Sequence, residues 1–376
     1  MNILVLGGTG AMGVPLVNEL AKHDNIVYVT SRSKRNSTKN IKYIQGNATQ
    51  KAFIEQVLEM KQWDAIVDFM VHSEENLKSL LPKFLSNTHQ YIFISSARVY
   101  AQSDAPISEK TPRLLNVSTD MEYLKTNEYA LAKAREEDLL LNSGKKNFTI
   151  IRPSITYNTE RLQLGVLEKE NWLYRALKGR SIVFSEDINN KLTAMTFGQD
   201  VSIGITSIIG QQKALGEAFH ITYPVSLPWS EILSIYLNVL RKHLGKEIPI
   251  VMTEKSTNLR FQWRKYQVIY CRYFNRTFDN SKIAQFCDLS NFTSPKKGLI
   301  DCLENFLKNP KFENIQWDIE ALNDKEAKEY TPLSEIPSLS NKLTYIYYRY
   351  NVKFLVRVVR FILFRIILPI KLKLIK

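Results

Sequence analysis

The chain has 376 residues, of which 44% are hydrophobic and 23% are charged, the composition of an ordinary globular protein. This length predicts one large core with an appended part, or two domains. The net charge of +14 is uneven: residues 341–376 hold nine Lys or Arg and no acid, leaving +5 on the preceding 340 residues. The charge therefore argues against a nucleic-acid-binding body and for a separate function of residues 341–376.

The cysteines and the N-terminus indicate a cytoplasmic protein. Cys271, Cys287 and Cys302 are an odd, widely spaced set without the paired spacing of metal ligands, so we expect reduced thiols and no metal site. The apolar N-terminus has no basic region before it and runs straight into a glycine loop, so we expect no secretory signal.

The first predicted elements are a strand, a glycine-rich turn and a helix. Residues 3–6 are all apolar, which is typical of a buried strand in a parallel sheet, and residues 14–22 have helical spacing. A glycine turn between them lets the backbone approach a pyrophosphate, and the helix N-terminus offers free N–H groups and a positive dipole. We assign to a dinucleotide cofactor the loop residues Gly7, Thr9, Gly10, Ala11, Met12 and Gly13.

Strands and helices then alternate along the chain. The pattern predicts strands over residues 26–30, 41–44, 63–69, 90–96 and 147–152, and helices over residues 50–61, 74–86 and 121–142. This alternation predicts an α/β fold with a doubly wound parallel sheet, in which the ligand lies at the carboxyl ends of the strands.

The end of the second strand bears on the choice of cofactor. An acidic residue that binds the ribose hydroxyls of NAD is usual at this position. The chain has Arg32 there, followed by Lys34 and Arg35, and no acid. Arg32 favours the additional phosphate of NADP. A solvated basic loop is the alternative, and NAD then stays open as the cofactor.

Beyond residue 157 the regular alternation is lost, and we expect a smaller C-terminal lobe that binds the substrate. Helices are predicted over residues 201–209, 229–244, 259–271 and 296–308, and strands over residues 219–222 and 248–252. The predicted divisions are a dinucleotide-binding domain at 1–157, a region completing the sheet and forming the substrate lobe at 158–322, a polar linker at 323–340 and a basic amphipathic tail at 341–376.

Two local patterns can carry chemistry. Ser95 and Ser96 end the fifth predicted strand, and Tyr129 and Lys133 lie four residues apart on one face of a predicted helix. A neighbouring ammonium group favours the phenolate form of a tyrosine. A serine hydroxyl at the adjacent strand end can hold a substrate oxygen in line. Together they offer the groups that oxidation of an alcohol to a ketone needs.

In combination these motifs resemble an extended short-chain dehydrogenase/reductase of the NAD-dependent epimerase/dehydratase family, from residue 1 to about residue 310. The resemblance implies a Rossmann-type fold with the pyrophosphate at the glycine loop. It implies that the catalytic hydroxyl is that of Ser96, four residues before Tyr100, and that Tyr129 is the base. It also implies that Lys133 is both catalytic and cofactor-binding, because it holds the ribose.

Departures from the family pattern are informative. Asn47 replaces the Asp that contacts adenine but keeps a hydrogen-bonding amide, and Phe69 replaces a small residue and makes the cofactor wall bulkier. We assign both to the cofactor. Ala97 and Arg98 replace the two carboxylates that 4,6-dehydratases place after the catalytic hydroxyl, and neither can act as a carboxylate acid or base. We therefore rank 4,6-dehydration below epimerisation or reduction.

Residues 345–368 are rich in aromatic and aliphatic side chains, interrupted by cations. Arg349, Lys353, Arg357 and Arg360 are spaced along one face of a predicted helix. The segment has no run of about 18 uncharged apolar residues, so we do not expect it to span a membrane. A basic amphipathic helix predicts peripheral contact with the inner face of a membrane. The alternative is a helix docked on its own body or at a homodimer interface.

The sequence as a whole predicts an NAD(P)-dependent epimerase or reductase of a nucleotide sugar, with Tyr129 as the base. A non-catalytic dinucleotide-binding relative is one alternative. A membrane-tethered reductase of a lipid-like substrate is another. In the C-terminal lobe, Arg161, Trp172 and Arg175 are candidates to face a diphosphate or a uridine.

Overall fold

The computed structural model describes residues 1–10, 12–259 and 264–351. The strands are, in chain order, β1 (Asn2–Leu6), β2 (Ile26–Ser31), β3 (Ile41–Gln45), β4 (Trp63–Asp68), β5 (Thr88–Ile94), β6 (Phe148–Pro153), β7 (Ile155–Tyr157), β8 (Ile182–Ser185), β9 (Leu192–Thr193), β10 (Met195–Phe197), β11 (Glu217–Ile221), β12 (Leu227–Pro228) and β13 (Ile250–Thr253). The helices are α1 (Gly13–Ala21), α2 (Lys51–Glu59), α3 (Glu74–Ser86), α4 (Leu114–Val117), α5 (Met121–Leu124), α6 (Tyr129–Leu141), α7 (Lys169–Leu177), α8 (Glu186–Asn189), α9 (Gly198–Ile208), α10 (Trp229–Leu244), α11 (Lys265–Gln267), α12 (Pro295–Lys308), α13 (Trp317–Ala327) and α14 (Leu339–Tyr350).

Seven strands form one parallel sheet in the order β11-β6-β5-β4-β1-β2-β3. Residues 3–6 of β1 have no exposed surface, because helices cover both faces of the sheet, and this explains the unbroken apolar run. The strand order reverses between β1 and β4, and ligands of such sheets bind in the crevice at this point. The predicted doubly wound sheet is confirmed, and the strand predicted at residues 219–222 is its seventh member.

The helix predicted over residues 121–142 is two helices, α5 and α6. The carboxylate of Glu128 accepts a hydrogen bond from the backbone N–H of Ala130 at 2.8 Å and so begins α6 at Tyr129. The four residues between the two helices, 125–128, are all polar but include no Gly or Pro, which is the signal that would have marked the break. Because of the break, Tyr129 lies in the first turn of a helix.

A second core follows the sheet in the chain. Helices α7, α10 and α12 pack with the paired strands β8 and β13 around large buried rings. Trp172 of α7 stacks on Tyr236 of α10, with ring centroids 4.6 Å apart. This cluster forms the smaller C-terminal lobe, whose exact domain boundaries stay a prediction.

The segment at residues 323–340, predicted as a linker, is folded: it contains the end of α13 and the start of α14. The fully buried Arg175 pairs with Glu320 at 2.7 Å and Asp324 at 2.6 Å. Tyr345 of α14 donates to Asp324 at 2.6 Å. Polar composition misled the prediction here, because the charges are paired with each other inside the lobe rather than solvated.

Residues 352–376, which hold most of the predicted amphipathic tail, lie outside the described residues. In the part of the chain that the structure describes, no helix is long and apolar enough to cross a membrane. The helix predicted over residues 259–271 is described from residue 264 and consists of α11 and a π-helical turn at Val268–Arg272.

Candidate active site

The glycine-rich turn joins β1 to α1. Gly7 has a φ of 72°, which favours glycine, and its N–H donates to Thr30 Oγ1 at 3.1 Å. A Cβ on Gly13 would lie 2.6 Å from the backbone of Gly8, so the start of α1 packs directly on the turn. A Cβ on Gly10 would have its nearest neighbour at 4.0 Å. The turn is therefore packed on its inner side and open at Gly10, which fits the close approach of a pyrophosphate.

The other loop residues assigned to the cofactor are distributed around this turn. Met12 lines the cavity that also contains Ser96 and Tyr129, two of the three predicted catalytic residues, whereas Lys133 does not line it. Thr9 lines a second cavity. Ala11 lies outside the described residues. Phe69 follows β4 and packs against the turn, since a Cβ on Gly7 would lie 3.5 Å from the Cβ of Phe69.

Arg32 and Asn47 lie just beyond the carboxyl ends of β2 and β3. Arg32 is exposed to solvent. The side-chain oxygen of Asn47 accepts hydrogen bonds from the backbone N–H and the hydroxyl of Thr49, at 3.1 and 2.9 Å, and so shapes the turn after β3. Contact of either residue with a cofactor stays a prediction.

Ser95 and Ser96 have different partners, which separates their roles. Ser95 Oγ donates to the fully buried Glu137 at 2.6 Å, and this carboxylate also accepts two hydrogen bonds from Arg152, at 2.8 and 2.7 Å. Ser96 Oγ accepts from the backbone N–H of Arg98 at 3.2 Å. A hydroxyl that accepts a hydrogen bond still has its proton to donate, so Ser96 is the serine that can hold a substrate oxygen.

Tyr129 and Lys133 have different surroundings. Tyr129 is 43% exposed, and the guanidinium carbon of Arg98 lies 5.3 Å from its ring centroid. Lys133 is buried: its Nζ donates to Glu136 Oε2 at 2.8 Å and lies 4.6 Å from the ring centroid of Phe93. The charge of Lys133 is therefore balanced by Glu136 before any cofactor binds.

Further buried titratable groups act on the Lys133–Glu136 ion pair. Asp68, at the end of β4, accepts from Tyr91 at 2.7 Å and lies 2.8 Å from His72 Nε2. Burial lowers the pKa of His72, but the Asp68 carboxylate outweighs burial and holds that pKa above its usual value. Burial raises the pKa of Glu136 although the ammonium of Lys133 opposes the shift. The carboxylate of Asp68 also raises the pKa of Glu136. The Lys133–Glu136 ion pair therefore belongs to a larger network of charges.

Ser96, Tyr129 and Met12 line one cavity of about 360 Å³ beyond the carboxyl ends of β5 and β6. Among the described residues its wall contains no Asp or Glu and four arginines, Arg98, Arg161, Arg272 and Arg276. A cavity with this lining attracts anionic ligands.

Two of the four arginines have carboxylate partners. Arg98 pairs with Glu128, the residue that caps α6. Arg161 pairs with Glu168 at 3.7 Å, and its side chain is 43% exposed. Their charges are therefore partly compensated by the protein itself.

The other two arginines have no carboxylate partner among the residues that the structure describes. Arg272 donates to the carbonyl of Gly165 at 3.1 Å and to Cys271 Sγ at 2.9 Å. Arg276 donates to backbone carbonyls, nearest that of Ala97 at 2.6 Å. Burial lowers the pKa of both guanidinium groups. Burial raises the pKa of the Cys271 thiol, but the neighbouring guanidinium groups outweigh it and hold that pKa below its usual value.

Sequence reasoning missed Arg272 and Arg276 as site residues. Arg272 ends the π-helical turn and Arg276 lies in the loop after it, and only the density of arginines around them signals a site. Of the three lobe residues expected to face a diphosphate or a uridine, Arg161 does line the cavity. Trp172 and Arg175 do not, because both are fully buried in the lobe core.

Residues 3–191 match the model of the NAD dependent epimerase/dehydratase family. The chain belongs to this family. The resemblance inferred from the glycine loop and the serine and tyrosine motifs is thereby confirmed, and the protein is an enzyme of the NAD-dependent epimerase/dehydratase family. No curated protein sequence matches the chain.

Solved structures share the fold over about four-fifths of this epimerase/dehydratase-family chain. An epimerase from Methanothermobacter thermautotrophicus is 18% identical with a TM-score of 0.62, covering 82% of this chain and 92% of that chain. UDP-glucuronic acid 4-epimerase from Bacillus cereus, in complex with UDP-glucuronic acid and NAD, is 16% identical with a TM-score of 0.61, covering 81% and 100%. dTDP-glucose 4,6-dehydratase from Bacillus anthracis, in complex with NAD, is 17% identical with a TM-score of 0.58, covering 82% and 97%. At these identities the likeness shows the fold alone.

Proposed function

We propose that this enzyme transfers hydride between an NAD(P) cofactor and a nucleotide sugar, as an epimerase or a reductase. The observation that carries the proposal is the single cavity in which Ser96 and Tyr129 meet Met12 of the glycine turn. A hydrogen-bond donor (the Ser96 hydroxyl), a phenol (Tyr129) and the glycine turn therefore line the wall of the same cavity. The excess of arginines on that wall supports a substrate with a diphosphate. The family's structural neighbours include enzymes of UDP- and dTDP-linked sugars.

The proposed mechanism gives each side chain one task. Tyr129 removes the proton of the reacting hydroxyl group, and Ser96 donates a hydrogen bond to the same oxygen. The nicotinamide, when bound, accepts or returns the hydride. Lys133 would hold the ribose of the bound cofactor, for which its ammonium would have to release Glu136. In an epimerase the keto sugar turns over and takes the hydride back on its other face. In a reductase the substrate is a keto sugar, which takes up one hydride and a proton from Tyr129 and leaves as the alcohol.

The test is turnover by Tyr129→Phe with a panel of nucleotide sugars. Loss of the phenol hydroxyl removes the proton acceptor, so we expect kcat to fall by about 10²- to 10⁴-fold while cofactor binding is retained. Full turnover by this variant contradicts Tyr129 as the base. A wild-type protein that binds cofactor and converts no sugar nucleotide supports the non-catalytic alternative.

We propose NADP rather than NAD as the preferred cofactor. Arg32 is exposed at the end of β2, and residues 31–37 contain no acid that could bind the ribose hydroxyls. Calorimetric titration should give roughly tenfold tighter binding of NADP than of NAD, and Arg32→Ala should remove the preference. Tighter binding of NAD by the wild-type protein contradicts the proposal.

We also propose that the tail at residues 341–376 contacts an anionic membrane surface through its part beyond Tyr350, because residues 339–350 form α14 and its Tyr345 is buried in the lobe. The support is the charge of residues 352–376, which hold seven Lys or Arg and no acid. Full-length chain should co-sediment with phosphatidylglycerol vesicles but not with phosphatidylcholine vesicles, and a chain ending at Asn351 should stay in the supernatant. Unchanged sedimentation of the shortened chain contradicts membrane contact. Loss of a dimer on shortening supports the homodimer alternative instead.

A further inference from the structure

Two polar side chains of the cavity have no partner in the described protein. Gln163 is 1% exposed, and neither its amide nitrogen nor its amide oxygen makes a hydrogen bond. The buried hydroxyl of Thr156 has no partner either. Both residues line the cavity of Ser96 and Tyr129. Because buried polar groups are nearly always hydrogen-bonded, these atoms indicate the position of a ligand.

The charge near Gln163 is positive. Arg272 is 5% exposed and donates to the carbonyl of Gly165, so its guanidinium is held on the same short segment as the Gln163 amide. Arg276 is equally buried and donates to the carbonyl of Ala97, in the turn after β5. Neither has a carboxylate partner within the described ranges, and the only thiol of the cavity wall, that of Cys271, lies 2.9 Å from Arg272. One thiol cannot balance two buried guanidinium groups, so an anionic ligand suits this group of side chains.

The burial of each arginine side chain indicates which part of the substrate it contacts. Arg161 is the most exposed arginine of the wall, with 43% of its side chain exposed, whereas Arg272 and Arg276 are each 5% exposed. The reacting carbon of the sugar has to reach Ser96, which is also buried. The sugar therefore occupies the buried end of the cavity, and the diphosphate lies towards the exposed end.

We infer that Arg272 and Gln163 form a subsite for a carboxylate group carried by the sugar, with Thr156 as a further hydrogen-bond donor. A carboxylate is planar and accepts hydrogen bonds on both oxygens, which suits a guanidinium edge beside an amide N–H. A neutral hexose leaves Arg272 with no partner beyond the carbonyl of Gly165 and the thiol of Cys271. The substrate class is then a nucleotide sugar with an acidic hexose, an assignment that rests on the proposed nucleotide-sugar function.

The test measures binding to the cofactor-loaded full-length chain. Two matched pairs are titrated by calorimetry, UDP-glucuronate with UDP-glucose and GDP-mannuronate with GDP-mannose, together with UDP and GDP alone. The acidic member of a pair should bind roughly tenfold tighter or more. Gln163→Glu places a carboxylate beside Arg272 and should weaken the acidic sugars more than the neutral ones, which abolishes this preference. Gln163→Met, the uncharged control of similar size, should keep most of the preference.

The possible results separate the subsite from the proposed function. Equal affinities of the acidic and neutral sugars overturn the subsite and leave the proposed function intact. A loss of UDP affinity in Gln163→Glu as large as the loss of UDP-glucuronate affinity assigns the anion to the diphosphate and also overturns the subsite. Binding of cofactor with no binding of any nucleotide sugar contradicts the proposed function itself. Arg272→Lys, which keeps the charge but not the planar fork, should weaken the acidic sugars selectively.

Discussion

Two adjacent serines at the end of β5 differ in what their hydroxyl groups contact. Both serines line the cavity, but Ser95 Oγ donates to the buried Glu137, whereas Ser96 Oγ accepts from the backbone N–H of Arg98 and keeps its proton for a ligand. Ser96→Ala should lower kcat/KM by about 10²- to 10³-fold with stability unchanged, because it removes a hydrogen bond to the reacting oxygen. Ser95→Ala should keep turnover and lower the free energy of unfolding by about 1–2 kcal/mol, because it removes a hydrogen bond to a charged group. Steady-state kinetics and urea unfolding of both variants test these two predictions. Loss of turnover in Ser95→Ala with full turnover in Ser96→Ala contradicts the assignment of Ser96 as the catalytic serine.

Asp200, in the first turn of α9, gives the enzyme a pH-dependent stability. Its carboxylate accepts a hydrogen bond from the backbone N–H of Thr293 at 2.8 Å, and burial raises its pKa to about 6. A raised carboxyl pKa contributes stability at low pH that is lost as the pH rises through the folded-state value. Between about pH 5 and pH 7.5 the free energy of unfolding of the wild type should therefore fall by about 1 kcal/mol relative to that of Asp200→Asn. Urea unfolding of both proteins at both pH values measures this change. A difference between wild type and Asp200→Asn that does not vary with pH contradicts the prediction.

The glycine turn between β1 and α1 provides a test at the scale of one element. A Cβ on Gly13 meets the backbone of Gly8 at 2.6 Å, whereas a Cβ on Gly10 meets nothing closer than 4.0 Å. Gly13→Ala should therefore lower the free energy of unfolding by about 1–3 kcal/mol. Gly10→Ala should leave stability within about 0.5 kcal/mol and weaken cofactor binding roughly tenfold, because only the ligand comes close there. Retained cofactor affinity in Gly10→Ala contradicts a pyrophosphate at the turn.

Regular elements were predicted well wherever one periodicity runs without interruption. The predicted bounds of α3 and α10 are those of the structure, because each has a single apolar face. The pattern failed at residues 121–142, where the Glu128 side chain caps the start of a second helix and no Gly or Pro marks the break. Local capping chemistry, not periodicity, placed Tyr129 in the first turn of α6.

At the scale of the whole molecule, contacts between distant residues could not be predicted from the sequence. The pairing of Arg175 with Glu320 and Asp324 joins α7 to α13 and converts a polar stretch into part of the lobe. The same limit applies to the site. Ser96, Tyr129 and Lys133 could be proposed from local motifs, whereas the unpaired Arg272 and Gln163 are recognisable only once burial and partners are known.

The central claim, hydride transfer with Tyr129 as base, is tested most directly by single-turnover mixing of the oxidised cofactor-loaded chain with a nucleotide sugar that it binds. The absorbance of reduced nicotinamide should rise in the wild-type enzyme, and decay again if it is an epimerase. In Tyr129→Phe the rise should be slower by about 10²-fold or more, because the hydroxyl proton has no acceptor. An equally fast rise in the variant, or no reduced cofactor in a wild-type enzyme that converts its sugar, contradicts the account.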